Sequence, residues 1–414
     1  MSQRTKVLFV AEDVTLAQVV RLVTLAKFLP IDRYEIFFAC SNFEPLVFED
    51  TNLERRSIFT VDRKKVFKSL RSGKRLYEYG LLKKYAEEEC QLLDEIKPDV
   101  VVGDFRLSLS ASAPSKGIPL VTLINAYWSP FARRPNGWPM PEHPIVRMLG
   151  VEMASKHFPK ALPTVFKHFA KPVNRLRRKY QLPAIGSLAQ VLTYGDATIF
   201  PDIAELIPTK GLPKENQFLG FVDWSPASPP PESWAEIPAD ATTIYVTLGS
   251  SGQVDNLPAV LDGLKDLPVH VIVATAGRVS LDKLPKNFHV SDYVPGAGAC
   301  KRANLVISNG GSSTGYQSLG QGTPVLGIAD NLDQYLAMTA IEEAGAGKLL
   351  RSGLTTKESV REAVSAMLGD AEMNNAARQI ALKNSKYNPS ETFMKTLDRV
   401  SSNPASATAE PLAS

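Results

Sequence analysis

The stretch from Asn304 to Gln334 carries the densest chemistry in the chain. A strand-length apolar run, Leu305–Ser308, leads into the turn Asn309–Thr314, which opens a helix. Backbone N–H groups at a helix start form an anion site, and Gly310 and Gly311 let a phosphate come close. Ser312, Ser313 and Thr314 add hydroxyl donors. Glycine also serves tight strand–helix packing, so the turn alone leaves phosphate binding and packing both open. Further on, Asp333 stands just before a helical stretch, Gln334–Ala344, where it reads as an N-cap or as a ligand-binding carboxylate. In the first half, the loop Arg133–His143 carries Trp138 and follows Trp128, two rings able to stack on a flat or apolar acceptor. His143 is the first histidine in the chain, and an ordinary proline-rich surface loop is the competing reading. From Lys156 to Lys179, basic residues interleave with Phe158, Leu162, Phe166, Phe169, Val173 and Leu176. That pattern is either a membrane-surface helix pair or a solvated face over an apolar stripe.

Short apolar runs alternate with helix-length amphipathic segments, which predicts α/β construction on parallel sheets. The first set of strands is expected at Lys6–Val10, Tyr34–Ala39, Val100–Asp104, Pro119–Leu123 and Ala197–Pro201. The second is expected at Thr243–Gly249, Val269–Thr275, Leu305–Asn309 and Pro324–Ile328. The helix after the first strand shows an inner face through Leu16, Val19, Val20, Val23, Leu25 and Leu29. Between the sets lies a proline-rich segment containing Ser225–Glu232, which cannot sustain a helix or a central strand. The domains are therefore expected at 1–202 and 243–400, joined by 203–242, with 401–414 as a disordered tail. In such doubly wound domains ligands sit outside the carboxyl ends of the strands.

Composition fits a soluble protein, with 44% hydrophobic and 22% charged residues in 414. The three cysteines, Cys40, Cys90 and Cys300, form no pair at metal-site spacing and suit a reducing, cytoplasmic setting. No signal peptide is visible at the start, and no apolar run reaches the roughly 20 residues of a membrane span. Charge is uneven: residues 1–200 hold 30 Lys and Arg against 20 Asp and Glu, while 201–414 hold 17 against 23. A basic first half would draw anionic acceptors or the inner face of a membrane, or it simply reflects long surface helices. No nucleic acid is expected as a partner.

The longer pattern around the glycine turn resembles family-one glycosyltransferases, which decorate natural products, lipids and hydrophobic aglycones. Their donor signature runs His-Gly-Gly, then Thr, then Glu-Ala-Leu, then Gly-x-Pro, then Asp-Gln. Here Asn309-Gly310-Gly311, Thr314, Gln317-Ser318-Leu319, Gly322-Thr323-Pro324 and Asp333-Gln334 fall at matching spacing. Asp292-Tyr293-Val294-Pro295 is similar to the family's segment beside the base, and Thr247–Gly252 to its Gly-Ser loop. The resemblance implies a GT-B fold, two Rossmann-like doubly wound domains facing a central cleft, with the acceptor in the first and a UDP- or dTDP-sugar in the second. It implies that Asn309, Gly310, Gly311, Ser312, Ser313 and Thr314 cradle the diphosphate, and that Gln317 faces the ribose. Asp333 and Gln334 would hold the sugar, Tyr293 and Val294 the base, and Ser250 and Ser251 would lie near the phosphates.

Three positions depart from the family. Gln18 and Asn309 stand where it has histidines, and Gln317 where it has a glutamate. Each swap keeps a hydrogen-bonding side chain and removes a titratable one. Gln18 cannot act as the general base, so Asp104, in the family's carboxylate position, becomes the first choice. Asp13, after the first strand, and His143 follow. The resemblance further implies inverting transfer without a metal, since no paired-glutamate motif marks the donor half. Alternatives are a donor-binding or activating subunit without catalysis and, at a distance, a nucleotide-sugar epimerase.

Overall fold

The computed structural model describes residues 4–49, 51–226, 228–248, 254–279, 281 and 284–402. The chain divides into two units, one of residues 1–135, 156–222 and 387–414, the other of residues 136–155 and 223–386.

The first unit begins with β1 (Thr5–Ala11), α1 (Leu16–Lys27), β2 (Tyr34–Cys40), α2 (Pro45–Phe48) and β3 (Glu54–Ser57). It continues with α3 (Arg63–Arg71), α4 (Tyr79–Ile96), β4 (Val100–Asp104), α5 (Leu109–Ser115) and β5 (Leu120–Leu123). After α6 (Pro144–Lys179) come α7 (Leu188–Leu192), β6 (Ala197–Phe200) and β7 (Gln217–Phe218). Its sheet runs β3-β2-β1-β4-β5-β6-β7, and every pairing is parallel. The second unit contains β8 (Thr243–Thr247), α8 (Leu257–Leu264), β9 (His270–Ala274), β10 (Phe288–Ser291), α9 (Gly296–Arg302) and β11 (Leu305–Ser308). Then follow α10 (Ser312–Gly320), β12 (Val325–Ala329), α11 (Leu332–Glu343), β13 (Gly347–Arg351), α12 (Lys357–Leu368) and α13 (Ala371–Asn384). The order β10-β9-β8-β11-β12-β13 again reverses direction beside its first strand, again all parallel. The last helix, α14 (Pro389–Ser402), groups with the first unit.

Continuous Val, Ile and Leu runs make these strands because both faces of each sheet are covered. In the first unit, Leu8, Val10 and Val101 pack under α4 and α5 through Leu92, Leu93, Ile96 and Leu109. On the opposite face Phe9 meets Phe38 and Phe393 of α14, each at 6.1 Å between ring centres. In the second unit, Ile244, Val246, Val271 and Ile307 pack with α8 and α12, and Tyr245, Ile272 and Val306 with Trp234 and α9. Each such buried side chain contributes roughly 1.5–3 kcal/mol. Residues 403–414 lie outside the described residues.

In α6, Gly150 leaves helical geometry at φ 77° and ψ 161°. Beyond it Leu162, Phe166, Val173 and Leu176 are buried while Lys156, Lys160, Lys167 and Lys171 are exposed, a solvated face over an apolar stripe. Around it, Ile145, Met148, Leu149 and Met153 are exposed. No helix among the described residues is long and apolar enough to cross a membrane.

On adjacent strands β9 and β10, His270 Nδ1 and His289 Nε2 lie 3.2 Å apart with their rings stacked. Burial, then the neighbouring His270, pushes the His289 pKa below its ordinary 6.5. The unfolded chain then binds the proton first, so stability is full above 6.5 and falls as pH drops toward the lowered folded value. We expect His289→Gln to flatten this acid-side loss in melts recorded across that window. An unchanged slope would assign the loss to other groups.

Candidate functional site

In the second unit the glycine turn follows the fully buried β11. Ser308 Oγ accepts the Gly310 N–H at 3.1 Å, and Asn309 Oδ1 accepts the Gly311 N–H at 3.2 Å. These two short loops curl the chain so that Gly311 becomes the N-cap of α10. Gly310 sits at φ 75°, where a Cβ would also come 2.9 Å from Met338 Cγ. Gly311 has φ −71°, and its nearest obstacle to a Cβ is the Asn309 Oδ1 at 3.3 Å. The first glycine is thus demanded by backbone geometry, while a Cβ at the second would require the Asn309 side chain to give by a few tenths of an ångström. The opening N–H groups of α10 have no acceptor within the helix. Ser312 is buried, Thr314 half-buried and Ser313 exposed, all at the positive end of the helix dipole.

The start of α11 is a capping box. Asn331 Oδ1 accepts the Gln334 N–H at 3.2 Å, and Gln334 Oε1 accepts from Asp330 N at 2.8 Å and Asn331 N at 3.3 Å. Asn331, not Asp333, is therefore the N-cap, and Asp333 lies half-buried in the first helical turn. Gln334 is buried with its oxygen committed to the turn, so towards a sugar it offers only its amide N–H groups.

Gln317 departs from its expected place. Its Nε2 donates to Asp223 Oδ1 at 2.7 Å and to the Trp224 carbonyl at 2.9 Å, so its amide is committed within the protein rather than turned to a ribose. Val294 is buried and Tyr293 is about half exposed. Ser250 and Ser251 fall outside the described residues.

Residues 136–155 group with the second unit, although their position in the sequence suggested the first. Asn136 Nδ2 donates to Glu343 at 2.7 Å, and Arg351 donates to the Met140 and Pro141 carbonyls at 2.9 and 3.2 Å. Glu142 pairs with Arg351 at 2.9 Å and accepts from Tyr335 Oη at 2.9 Å, while its N–H reaches the Asp330 carbonyl. Trp138 and His143 are both half-buried within this clamped segment. His143 Nδ1 accepts the Ile145 N–H at 3.2 Å, which fixes the ring proton on Nε2. Burial lowers its pKa. The imidazole is a helix-start acceptor whose basic nitrogen is occupied, which corrects its place among the candidate bases.

In the first unit the candidate base Asp104 ends β4 fully buried. Arg21 of α1 grips both its oxygens, Nε to Oδ2 at 3.0 Å and Nη2 to Oδ1 at 2.8 Å. The same guanidinium donates to Asn125 Oδ1 at 2.6 Å, and Asn125 in turn donates to Asp202 at 3.0 Å. A carboxylate sealed in this way anchors α1 to the sheet and does not fit a proton acceptor for substrate. Gln18 is the capping-box partner of α1, with Oε1 accepting the Thr15 N–H at 3.1 Å. Trp128 is buried against Phe166, 6.4 Å between ring centres, so it is core rather than a stacking platform. Asp13, on the loop after β1, is half-buried. Its Oδ2 accepts from Ser41 Oγ and Asn42 N, each at 2.9 Å, and burial raises its pKa above the ordinary 3.8.

Residues 258–397 match the family described as erythromycin biosynthesis protein CIII-like, C-terminal domain. The chain is 44% identical over 382 residues to a PGL/p-HBAD biosynthesis glycosyltransferase of Mycobacterium tuberculosis, covering 92% of this chain and 89% of that protein. The chain belongs to the family-one glycosyltransferases. It is also 42% identical over 381 residues to a PGL/p-HBAD biosynthesis rhamnosyltransferase of Mycobacterium bovis, covering 92% of this chain and 84% of the relative. The solved spinosyn rhamnosyltransferase SpnG complexed with thymidine diphosphate aligns over 96% of this chain and 100% of its own, with TM-score 0.67 and 17% identity. That likeness gives the glycosyltransferase its fold, GT-B, built from two Rossmann-like units.

Sequence reasoning passed over Arg21, Asp223 and the clamp formed by Glu142, Tyr335 and Arg351. Their partners are distant along the chain. The glycine turn generates a paired expectation. Gly310→Ala should destabilise the fold by roughly 1–3 kcal/mol through its left-handed backbone. Gly311→Leu should leave the melting temperature nearly unchanged and abolish nucleotide-sugar binding in calorimetry. Retained affinity in Gly311→Leu would remove the diphosphate from this turn.

Proposed function

We propose that this glycosyltransferase moves a sugar from a nucleoside-diphosphate donor to a hydroxyl of a lipophilic acceptor of the PGL/p-HBAD kind, with inversion at the anomeric carbon. The observation that carries the donor assignment is the Asn309–Thr314 turn opening α10 at the carboxyl end of β11. There the helix N-terminus and the hydroxyls of Ser312, Ser313 and Thr314 would neutralise the departing diphosphate, a role that needs no metal. The thymidine diphosphate held by SpnG and the rhamnosyl transfer named for the M. bovis relative favour a dTDP-deoxysugar. Asp333, in the first turn of α11 just after the Asn331 cap, would hold a sugar hydroxyl. Inversion is supported by the lack of a paired-glutamate motif in the donor half of the sequence. The activity would be cytoplasmic. The exposed Ile145, Met148, Leu149 and Met153 would suit peripheral contact with the membrane that holds a greasy acceptor.

For the acceptor proton we assign Asp13 in place of Asp104. Its Oδ2 is anchored by Ser41 and Asn42, while burial makes the carboxylate more basic than usual. Gln18 at the start of the next helix would then orient rather than deprotonate. One observation favours a non-catalytic donor-binding role instead: Gln18, in the family's histidine position, is spent on capping its own helix. Failure of the wild-type protein to transfer from any donor would select that second reading.

Asp13→Asn should lower turnover by about 10²-fold or more with donor affinity unchanged. Asp104→Asn should act chiefly on stability, costing about 3–5 kcal/mol by leaving Arg21 buried without its carboxylate. Near-normal turnover in Asp13→Asn would move the base elsewhere. Asp333→Ala should weaken the sugar nucleotide by roughly 1.5–3 kcal/mol and spare the free diphosphate. Equal weakening of both ligands in calorimetry would make Asp333 structural.

A further inference from the structure

Gln317 lies three residues beyond Thr314 on α10, about 4.5 Å along the helix axis from the diphosphate turn. A nucleoside's furanose ring spans about that distance from its phosphate, so the ring hydroxyls would arrive near this side chain. Yet its amide is enclosed by protein on three sides. Nε2 donates to Asp223 and Trp224. A Cβ on Gly296 would stand 2.3 Å from Gln317 Oε1, so the amide oxygen lies flat against the start of α9. Cys300 Sγ is 4.0 Å away on the same helix.

The group that faces outward here is Asp223, which is exposed. Burial raises its carboxyl pKa above the ordinary 3.8, only partly offset by the hydrogen bonds from Gln317 and the Trp224 backbone, and the Gln317 amide at 2.7 Å holds one oxygen in place. A carboxylate is the strongest neutral-hydroxyl acceptor a protein offers, and one oxygen can serve the positioning amide while the other serves a ligand. We propose that Asp223 accepts the ribose or deoxyribose hydroxyl of the bound nucleoside diphosphate, and that Gln317 is its positioning residue. This rests on the diphosphate lying at Asn309–Thr314. It assigns the recognition of the nucleoside sugar to the segment entering the second unit instead of to α10 itself.

The test is calorimetric titration of dTDP and of its 3′-deoxy analogue into wild type, Asp223→Ala, Asp223→Asn and Gln317→Ala, each checked by thermal melt. Wild type should prefer dTDP by about tenfold or more, as expected for a hydrogen bond to a charged group. Asp223→Ala should weaken dTDP by that factor, leave the 3′-deoxy analogue unchanged and bring the ratio to about one. Asp223→Asn keeps an oxygen for Gln317 and should still reduce the ratio, which covers the case of an unstable alanine variant. Gln317→Ala should also reduce the ratio, a change that mere loosening of the fold would not produce. An unchanged ratio in both Asp223 variants, or equal weakening of the two ligands, overturns the assignment and leaves the donor site standing. Absence of dTDP and UDP binding to wild type overturns the donor site and the assignment together.

Discussion

Two arginines buried at the carboxyl edge of the first sheet constrain everything around them. A guanidinium out of water costs several kcal/mol unless carboxylates and carbonyls meet its N–H groups. Arg21 is met by Asp104 and Asn125. Arg106 is met by Glu89 at 2.8 Å and Glu12 at 3.2 Å, with the Tyr85 ring 3.7 Å from its centre. These partners come from the ends of β1, β4 and β5 and from α1 and α4, so the pairs lock the loops through which a doubly wound sheet works. Two carboxylates share Arg106, and burial raises the pKa of Glu12, favouring its protonated form at that crowded place. Asp13 is the next residue along, and it inherits a backbone that cannot drift.

The second unit solves the same positioning problem with almost no charge. Its turn is shaped by Ser308 Oγ, Asn309 Oδ1 and a left-handed glycine. Neutral donors would suit the diphosphate site proposed for this turn, which has to receive a highly charged group and later release it. Asn309 in place of histidine keeps the Asx-type bond to Gly311 that the turn requires, so the swap leaves the loop geometry satisfied.

Both units of the GT-B fold were legible because parallel strands buried on two faces must be written as unbroken apolar runs. The strands that escaped were β3, β7, β10 and β13. Glu54-Arg-Arg-Ser57 is charged as an edge strand should be, and Phe288-His-Val-Ser291 carries no apolar run at all. The glycine turn and the helix it opens were readable because spacing along one short stretch encodes them. The surroundings of Asp104 were not: a carboxylate's role depends on who holds it, and the Arg21 grip on Asp104 joins residues 83 positions apart. Trp128 failed for the same reason, since the sequence shows its ring but not Phe166 against it.

The segment 136–155 belongs to the second unit while its neighbours on either side belong to the first. The second unit is therefore discontinuous along the chain, made of one insert and one long stretch. A graft that exchanges donor halves between relatives by a single cut near residue 222 would separate Glu142 from Arg351 and Tyr335, and Asn136 from Glu343. It would set the insert of one protein against the body of another, whose residues need not match those contacts. The transplantable module has two pieces, and recombination that respects both junctions preserves the contacts that a cut at the linker alone would sever.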